Sequence, residues 1–200
     1  MHLQFPRLHV VTASLPIVSA VLSVAVLSVA TRDVAVQVRV EDDVTDREAF
    51  DLVTRILPLC RGRGVMCLVN DRLDVAVAAG ADGAHVGADD LPPAAARRVL
   101  GPRAVLGVTC RVPSVEPAAT YFGVGPAYAT STKDGLPDPI GPGGVGAVAA
   151  AAEVPVIAIG GVTPGRVADL VAAGAHGVAA VGAIARDPAG ATQEFLKALS

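Results

Sequence analysis

The chain has 200 residues and a formal net charge of −3, with 52% hydrophobic, 18% charged and 3% aromatic residues. This length suits one domain over residues 1–200, and the apolar content excludes a globally disordered chain. Nucleic-acid binding would require a basic face or aromatic side chains for stacking, and the sequence shows neither. Three cysteines without CxxC spacing are typical of reduced thiols in a cytoplasmic protein.

One apolar segment bears on that localisation. No charged residue occurs from Val10 to Thr31, and Arg7 precedes the run, as in a signal peptide. Pro16 interrupts the run, however, and four serines divide it, which favours a buried helix in a barrel wall. We therefore expect neither export nor membrane insertion.

Short β-rich runs alternate with Ala-rich amphipathic stretches along the whole chain. The predicted strands are Leu8–Ala13, Val34–Val40, Val65–Asn70, Gly83–Gly87, Ala104–Thr109, Tyr121–Tyr128, Val156–Val162 and Val178–Ile184. The predicted helices lie near residues 15–30, 46–62, 72–79, 92–99, 113–119, 143–152, 164–173 and 188–199. Eight β–α units in 200 residues predict a single (β/α)8 TIM barrel. An open flavodoxin-like or Rossmann sheet is the alternative, but no GxGxxG loop follows the first strand.

Helix boundaries carry recognisable signals. Thr45-Asp46 precedes the second helix, and Pro92-Pro93 opens the fourth. Gly80 and Gly174 follow two helices in matching Ala-Ala-Gly-Ala contexts, where a left-handed glycine ends each helix. Recurrence of this link supports a repeated β–α architecture.

Polar residues and glycines recur where the predicted strands end, which is where barrel enzymes carry their chemistry. On the second strand two polar side chains two residues apart face the same way. The residues at these strand ends are Gln37, Arg39, Asn70, Asp71, Asp89, Asp90, Thr109, Thr130, Ser131, Thr132, Lys133, Gly160, Gly161 and Gly182. His85 and His176 have no partner at metal-ligand spacing, and we expect them in turns or near the core.

These residue types suit a phosphorylated ligand. Asp71 and Asp90 follow adjacent strands, and two carboxylates with waters and phosphate oxygens suit Mg²⁺. Arg39 and Lys133 supply positive charge for phosphate oxygens, and glycines let backbone amides approach a phosphate. Each signal alone has a structural alternative, such as a helix cap at Asp71 or a solvated loop around Lys133.

The chain resembles thiamine phosphate synthases and the related thiazole tautomerases over nearly its full length. Several motifs, in matching order and spacing, carry the resemblance. They are Gln37-Val38-Arg39, Val69-Asn70-Asp71-Arg72, Gly83-Ala84-His85-Val86-Gly87 with Asp90, Leu106-Gly107-Val108-Thr109, Gly123-Val124-Gly125-Pro126, Thr130-Ser131-Thr132-Lys133, and Ala158-Ile159-Gly160-Gly161-Val162-Thr163.

The resemblance implies a transferase that condenses hydroxymethylpyrimidine diphosphate with thiazole phosphate, giving thiamine phosphate and pyrophosphate. It implies Mg²⁺ held by Asp71 and Asp90. By position, the residues implied to act in catalysis are Arg39, Asn70, Thr109 and Lys133. Those implied to bind the substrates are Gln37, Arg39, Asn70, Thr109, Thr130, Thr132, Lys133, Gly161, Val181 and Gly182.

Two departures keep alternatives open. The family's second-strand motif usually ends in Lys, and Glu41 occupies that position here. Either Glu41 turns outward, or diphosphate binding is weakened or lost. The related tautomerases use a histidine after the fifth strand, where this chain has Arg111. The alternatives to the synthase are therefore a metal-independent thiazole phosphate tautomerase and a non-catalytic barrel that binds thiamine-related phosphates. Barrels of this size often associate through helices, so a homo-oligomer is a further expectation.

Overall fold

The fold is known from a computed structural model that describes residues 5–130, 135 and 137–200. Across these residues, eight parallel strands close into a barrel in chain order. The strands are β1 (Leu8–Thr12), β2 (Val34–Val38), β3 (Met66–Asn70), β4 (Gly83–Val86), β5 (Val105–Cys110), β6 (Tyr121–Val124), β7 (Val156–Ala158) and β8 (Gly177–Ala180). The predicted TIM barrel is confirmed.

Helices surround the barrel, and several of them begin or end at the signals read from the sequence. They are α1 (Leu15–Leu27), α2 (Asp46–Arg61), α3 (Leu73–Ala79), α4 (Pro93–Leu100), α5 (Gly141–Ala151), α6 (Val167–Ala172), α7 (Gly182–Arg186) and α8 (Pro188–Leu199). Thr45 caps α2 in a reciprocal capping box with Glu48. Gly80 and Gly174 adopt positive φ angles of 71° and 107°, as predicted for helix ends.

The helix predicted at 113–119 is wrong, because these residues form a loop between β5 and β6. Pro113 and Pro117 explain the error: each lacks an N–H and disfavours helical geometry in the residue before it. The side chain of Arg97 in α4 reaches this loop and donates to the carbonyl oxygen of Ala118 at 2.9 and 3.1 Å. An arginine from the preceding helix thus satisfies backbone groups of the loop.

Three predicted strands end four residues earlier than expected, each for a local reason. β6 ends at Val124, since Pro126 has no N–H to extend the ladder. β7 ends at Ala158 and leads into Gly160 and Gly161, whose φ angles of 91° and 64° are not extended. β8 ends at Ala180, and Gly182 starts the short helix α7 instead of lying in a strand.

Alternation along the strands divides the buried side chains into two clusters among the described residues. Outward-facing valines such as Val10, Val36 and Val69 pack against the helices. A smaller cluster inside the barrel contains Val11, Leu68, Tyr121, Ile157 and Ala179.

The apolar segment after β1 forms the wall predicted for it. Helix α1 buries Val18, Val21, Leu22 and Ala25 and has contacts with α8. Within the described part of the chain, none of the helices has the length and apolar character needed to cross a membrane.

His9 lies inside the barrel, only 1% exposed, which the sequence did not indicate. Its ring contacts those of Phe5 and Tyr121, with centroids 5.6 and 5.0 Å away. Neither ring nitrogen has a hydrogen-bond partner among the described residues. Burial, with a smaller contribution from nearby His85, lowers the pKa of His9 to about 3. The imidazole is therefore neutral at physiological pH.

This depressed pKa predicts acid destabilisation. The unfolded chain protonates His9 near pH 6.5 while the folded chain does not. Stability is therefore fully present above about pH 6.5 and falls as the pH decreases toward the folded-state pKa. Each such histidine contributes a slope of about 1.4 kcal/mol per pH unit in that window. Denaturant unfolding of wild type and His9→Leu at several pH values measures it. The variant should show a slope shallower by about one proton; identical slopes would contradict the assignment.

Candidate active site

Polar side chains of β2 and β3 meet inside the barrel near its carboxyl-terminal end. Gln37 is 5% exposed, and its Nε2 donates to Oδ1 of Asn70 at 2.9 Å. In this arrangement the Gln37 carbonyl oxygen and the Asn70 amide N–H groups remain available to a ligand. Arg39 follows β2 directly, and its backbone N–H donates to Thr12 O at 3.3 Å. The structure thus brings three of the predicted residues, Gln37, Arg39 and Asn70, to neighbouring strand ends.

The two predicted metal-binding carboxylates follow adjacent strands. Asp71 is exposed directly after β3, with a φ angle of 63°, and its N–H donates to the His85 carbonyl oxygen at 2.8 Å. Asp90 is half-buried after β4, and its Oδ2 accepts the Gly87 N–H at 2.6 Å. In the described ranges no group of three or more His, Cys, Asp or Glu side chains converges in a metal-binding arrangement. A cation at these loops would therefore need oxygens from a ligand or water.

Inside β4, β5 and β6 lies a second polar set, centred on His85. Its Nε2 lies 3.0 Å from Thr109 Oγ1, and its Nδ1 lies 3.0 Å from Tyr121 OH. His85 is therefore in a strand of the barrel interior, near the core and not in a turn. Thr109, predicted as a site residue, is exposed at the barrel mouth.

Two glycines create the room for these rings. A Cβ at Gly107 would lie 2.3 Å from Tyr121 Cζ and 2.4 Å from His85 Nδ1. A Cβ at Gly123 would lie 2.6 Å from His85 Cε1. All three distances are shorter than real Cβ contacts, so packing inside the barrel requires glycine at both positions.

Burial lowers the pKa of His85 to about 4, although the Asp90 carboxylate acts in the opposite direction. Burial also raises the pKa of the Tyr121 hydroxyl. Both groups are therefore uncharged at neutral pH, and the set works through hydrogen bonds.

Arg39 and Glu41 line one cavity of about 170 Å³ at the mouth of the barrel. The other lining residues, from β1 to α1 and around α7, are Val11, Thr12, Ala13, Ile17, Val181, Ile184 and Ala185. Glu41 is exposed to solvent and yet shares this cavity with Arg39. Arg72 holds the same loop, since it donates to the Glu41 carbonyl oxygen at 3.4 Å and pairs with Asp46 at 2.7 Å.

Arg111 donates hydrogen bonds to two backbone carbonyl oxygens in the chain that follows β6. One guanidinium nitrogen donates to Gly125 O at 3.0 Å, and the other donates to Asp138 O at 2.9 Å. Thr130 lies half-buried in this segment. The predicted residues Ser131, Thr132 and Lys133 lie outside the described residues.

The remaining predicted residues follow β7 and β8. Gly161 has its carbonyl oxygen bound by Arg166 at 2.6 Å, and the Arg166 guanidinium lies 4.3 Å from the Tyr128 ring centroid. Val181 lines the cavity that contains Arg39, and Gly182 begins α7 beside it.

Sequence reasoning missed Tyr121 and the partners of His85 and Arg111. The alternation along β5 and β6 was the available signal for Tyr121, because it places Gly107, Thr109 and Tyr121 on the same inner face. No sequence pattern indicated that Arg111 binds carbonyl groups on both sides of one segment.

Fold and site together define a class: a (β/α)8 barrel whose mouth combines an arginine, two carboxylates and the hydrogen-bonded amides of Gln37 and Asn70. The family model described as thiamine monophosphate synthase matches residues 8–184. The thiamine-phosphate synthase of Salinispora arenicola is 56% identical over 202 aligned positions, covering 97% of both chains. That of Salinispora tropica is 58% identical and covers 88% of both chains.

Among solved structures, thiamine phosphate pyrophosphorylase from Pyrococcus furiosus superposes with a TM-score of 0.80 at 27% identity. The match covers 96% of this chain and 95% of that one. The chain belongs to the thiamine monophosphate synthase family.

The packing around Gly107 generates a stability prediction. Gly107→Ala places a methyl group against Tyr121 and His85, neither of which can withdraw from the barrel interior, so unfolding should become easier by about 1–3 kcal/mol. Gly143→Ala is the matched control, because Gly143 lies in α5 with open space around its Cβ position. The control should be neutral or slightly stabilising. Equal denaturation midpoints for wild type and Gly107→Ala would show that the rings can repack.

Proposed function

We propose that the protein is a thiamine-phosphate synthase, a transferase that joins hydroxymethylpyrimidine diphosphate and thiazole phosphate with release of pyrophosphate. The observation that carries this proposal is the continuous polar layer across β2 to β5. Gln37 bonds Asn70, His85 bonds Thr109, and Asn70 and His85 are paired in register on adjacent strands. Family membership indicates which reaction such a layer serves.

The amide pair suits the pyrimidine half of the reaction. Gln37 offers a carbonyl oxygen to an exocyclic amine, and Asn70 offers amide N–H groups to ring or phosphate acceptors. Their mutual hydrogen bond holds both groups in one orientation inside the barrel. A pre-oriented pair selects a ligand with a matching donor and acceptor without a large entropic cost on binding.

The two carboxylates fit a magnesium ion. Asp90 uses one oxygen for the Gly87 N–H, which leaves the other oxygen for a cation, and the bond from the Asp71 N–H to His85 O fixes the backbone of Asp71 at the end of the neighbouring strand. Mg²⁺ commonly takes one or two carboxylates and completes its shell with water and substrate phosphate oxygens. Asp71 and Asp90 would therefore hold Mg²⁺, which when bound neutralises charge on the diphosphate leaving group.

Permanent cations and backbone groups complete the binding of the phosphates. Arg39 can form two parallel hydrogen bonds to phosphate oxygens. In the proposal Thr130, Thr132 and Lys133 contact the phosphates of the substrates. Gly161 and the backbone of Val181 and Gly182 take the phosphate of the thiazole.

The chemistry requires stabilisation of departing negative charge and exclusion of water from a reactive pyrimidinyl-methyl cation. Arg39, Asn70, Thr109 and Lys133 are the proposed catalytic residues, because they offer donors and positive charge toward the leaving group. Gln37 is buried and Asn70 is half-buried, so a pyrimidine bound to this pair would lie inside the barrel mouth and away from bulk solvent.

Incubation of the protein with both substrates and Mg²⁺ tests the proposal. Thiamine phosphate and pyrophosphate should form and be detected by mass spectrometry, and EDTA should stop the reaction. Isomerisation of the thiazole phosphate alone, unaffected by EDTA, would support a tautomerase instead. Folded protein that forms neither product would contradict both reactions.

The metal assignment predicts a selective loss of activity. Asp71→Asn and Asp90→Asn remove charge without changing shape, so kcat/KM should fall at least about a hundredfold, partly restored by excess Mg²⁺. Asp89→Asn is the matched control, because Asp89 is exposed beside Asp90 and has no proposed role. Equal losses in all three variants would indicate a general charge effect.

Substitution of Glu41 by lysine should improve the binding of pyrophosphate. Its carboxylate shares a cavity with Arg39, so it opposes an incoming diphosphate. Glu41→Lys should tighten pyrophosphate binding by about tenfold at low ionic strength, as measured by equilibrium dialysis with labelled pyrophosphate. Asp43→Lys, an equal charge change at an exposed position of the same loop, should have a smaller effect. If binding is unchanged in Glu41→Lys, Glu41 does not weaken the site.

A further inference from the structure

Three side chains form a line of hydrogen bonds inside the barrel, from a buried phenol to an exposed hydroxyl. Tyr121 is 1% exposed, and its OH lies 3.0 Å from His85 Nδ1. On the other side of the ring, Nε2 lies 3.0 Å from Oγ1 of Thr109, which opens to the barrel mouth. The two distances do not reveal the direction of either hydrogen bond, but the surroundings of Tyr121 do.

A neutral imidazole has one N–H and one lone pair, so two directions are possible along the line. In the first, Tyr121 donates to Nδ1, and Nε2–H donates to Thr109. In the second, Thr109 donates to Nε2, and Nδ1–H donates to Tyr121. The second direction uses the phenol oxygen as an acceptor and leaves its own O–H without a partner.

The environment of the phenol rules against that second direction. Among the described residues, His85 Nδ1 is the hydrogen-bond partner of Tyr121 OH. The rings of Phe5 and His9 also pack against the Tyr121 ring, but within the same residues neither His9 nitrogen has a hydrogen-bond partner. A buried O–H without an acceptor loses its hydration and gains nothing in return. In the first direction, the phenol, both imidazole nitrogens and the threonine oxygen are all used.

The first direction also fixes what Thr109 presents to the active site. Its oxygen accepts from Nε2–H, so its own O–H is free to point toward the barrel mouth as a donor. In the second direction Thr109 would present only lone pairs, which repel an anionic ligand.

We propose that Tyr121 sets the Nε2–H tautomer of His85 and thereby makes Thr109 a hydrogen-bond donor to an anionic oxygen of the phosphorylated substrate. Tyr121 is a positioning residue in this account, because it acts through His85 and contacts no substrate. The role in substrate binding rests on the proposed function. The tautomer itself does not, because it is a property of the ligand-free protein.

Nitrogen-15 NMR of histidine-labelled protein at neutral pH tests the tautomer directly. Loss of its signals in His85→Gln identifies His85 among the four histidines of the chain. Wild type should show a pyrrole-type Nε2 and a pyridine-type, hydrogen-bonded Nδ1. In Tyr121→Phe the Nδ1 resonance should move, because its donor is gone. A pyrrole-type Nδ1 in wild type, or an unchanged Nδ1 resonance in folded Tyr121→Phe, would overturn the proposal.

The chain supplies a matched control in its other tyrosine. The Tyr128 hydroxyl is also buried and has no hydrogen-bond partner among the described residues. Tyr128→Phe therefore removes the same atom from a buried ring without touching the line. It should leave both His85 resonances unchanged; a change as large as in Tyr121→Phe would overturn the proposal.

A double-mutant cycle tests whether Tyr121 acts through Thr109. With Mg²⁺ and labelled pyrophosphate, Tyr121→Phe should weaken binding by about tenfold, the loss of one charge-assisted hydrogen bond. In a Thr109→Val background the same change should add less than about twofold, whereas Thr109→Ser should keep the full effect. Additive losses would overturn the link to Thr109. Absence of pyrophosphate binding in wild type would contradict the substrate role and the proposed function together, and the NMR result would still decide the tautomer.

Discussion

The space inside the barrel between β4 and β6 is the constraint on which the rest of this site depends. His85 and Tyr121 occupy positions that a Cβ at Gly107 or Gly123 would fill. Because the rings are confined there, the hydrogen bond to Tyr121 sets the orientation of the His85 imidazole, and the same imidazole contacts the hydroxyl of Thr109. The glycines of the fifth and sixth strands therefore serve the chemistry at the mouth through packing, without contacting a ligand themselves.

A strained backbone conformation at the barrel mouth also helps to position the site. Asp71 adopts a left-handed conformation that is unusual for a residue with a side chain, at a cost of about 1 kcal/mol. The hydrogen bond from its N–H to the His85 carbonyl offsets part of that cost and links β3 to β4. Arg72, the next residue, binds the loop after β2. One short segment thus positions a proposed metal ligand and the loop that contains Glu41.

Much of the fold could be predicted from the sequence, because local sequence patterns indicate most of the strands and helices. Val-rich runs separated by Ala-rich stretches predicted the strands, and Thr45 and Gly80 marked helix ends correctly. The helix predicted at 113–119 does not form, because the two prolines in this short segment disfavour helical geometry. The strand ends at Asn70, Asp71 and Asp90 were predictable because parallel strands bring their carboxyl ends to the same side. The bond between His85 and Tyr121 was not, because it depends on the pairing of Gly107 with both neighbouring strands.

Arg39, Asp71, Asp90 and the amide pair all lie at one end of the barrel. In the proposed function the amide pair binds the pyrimidine, and Arg39 and the two carboxylates form a single site for its diphosphate. Calorimetric titration of pyrophosphate into wild-type protein, with Mg²⁺ and then with EDTA, tests this most directly. Binding should be saturable with Mg²⁺ and should weaken at least about tenfold in EDTA, and again in Arg39→Ala with Mg²⁺ present. Equal affinity under all three conditions would contradict a site formed by Arg39 and a magnesium ion.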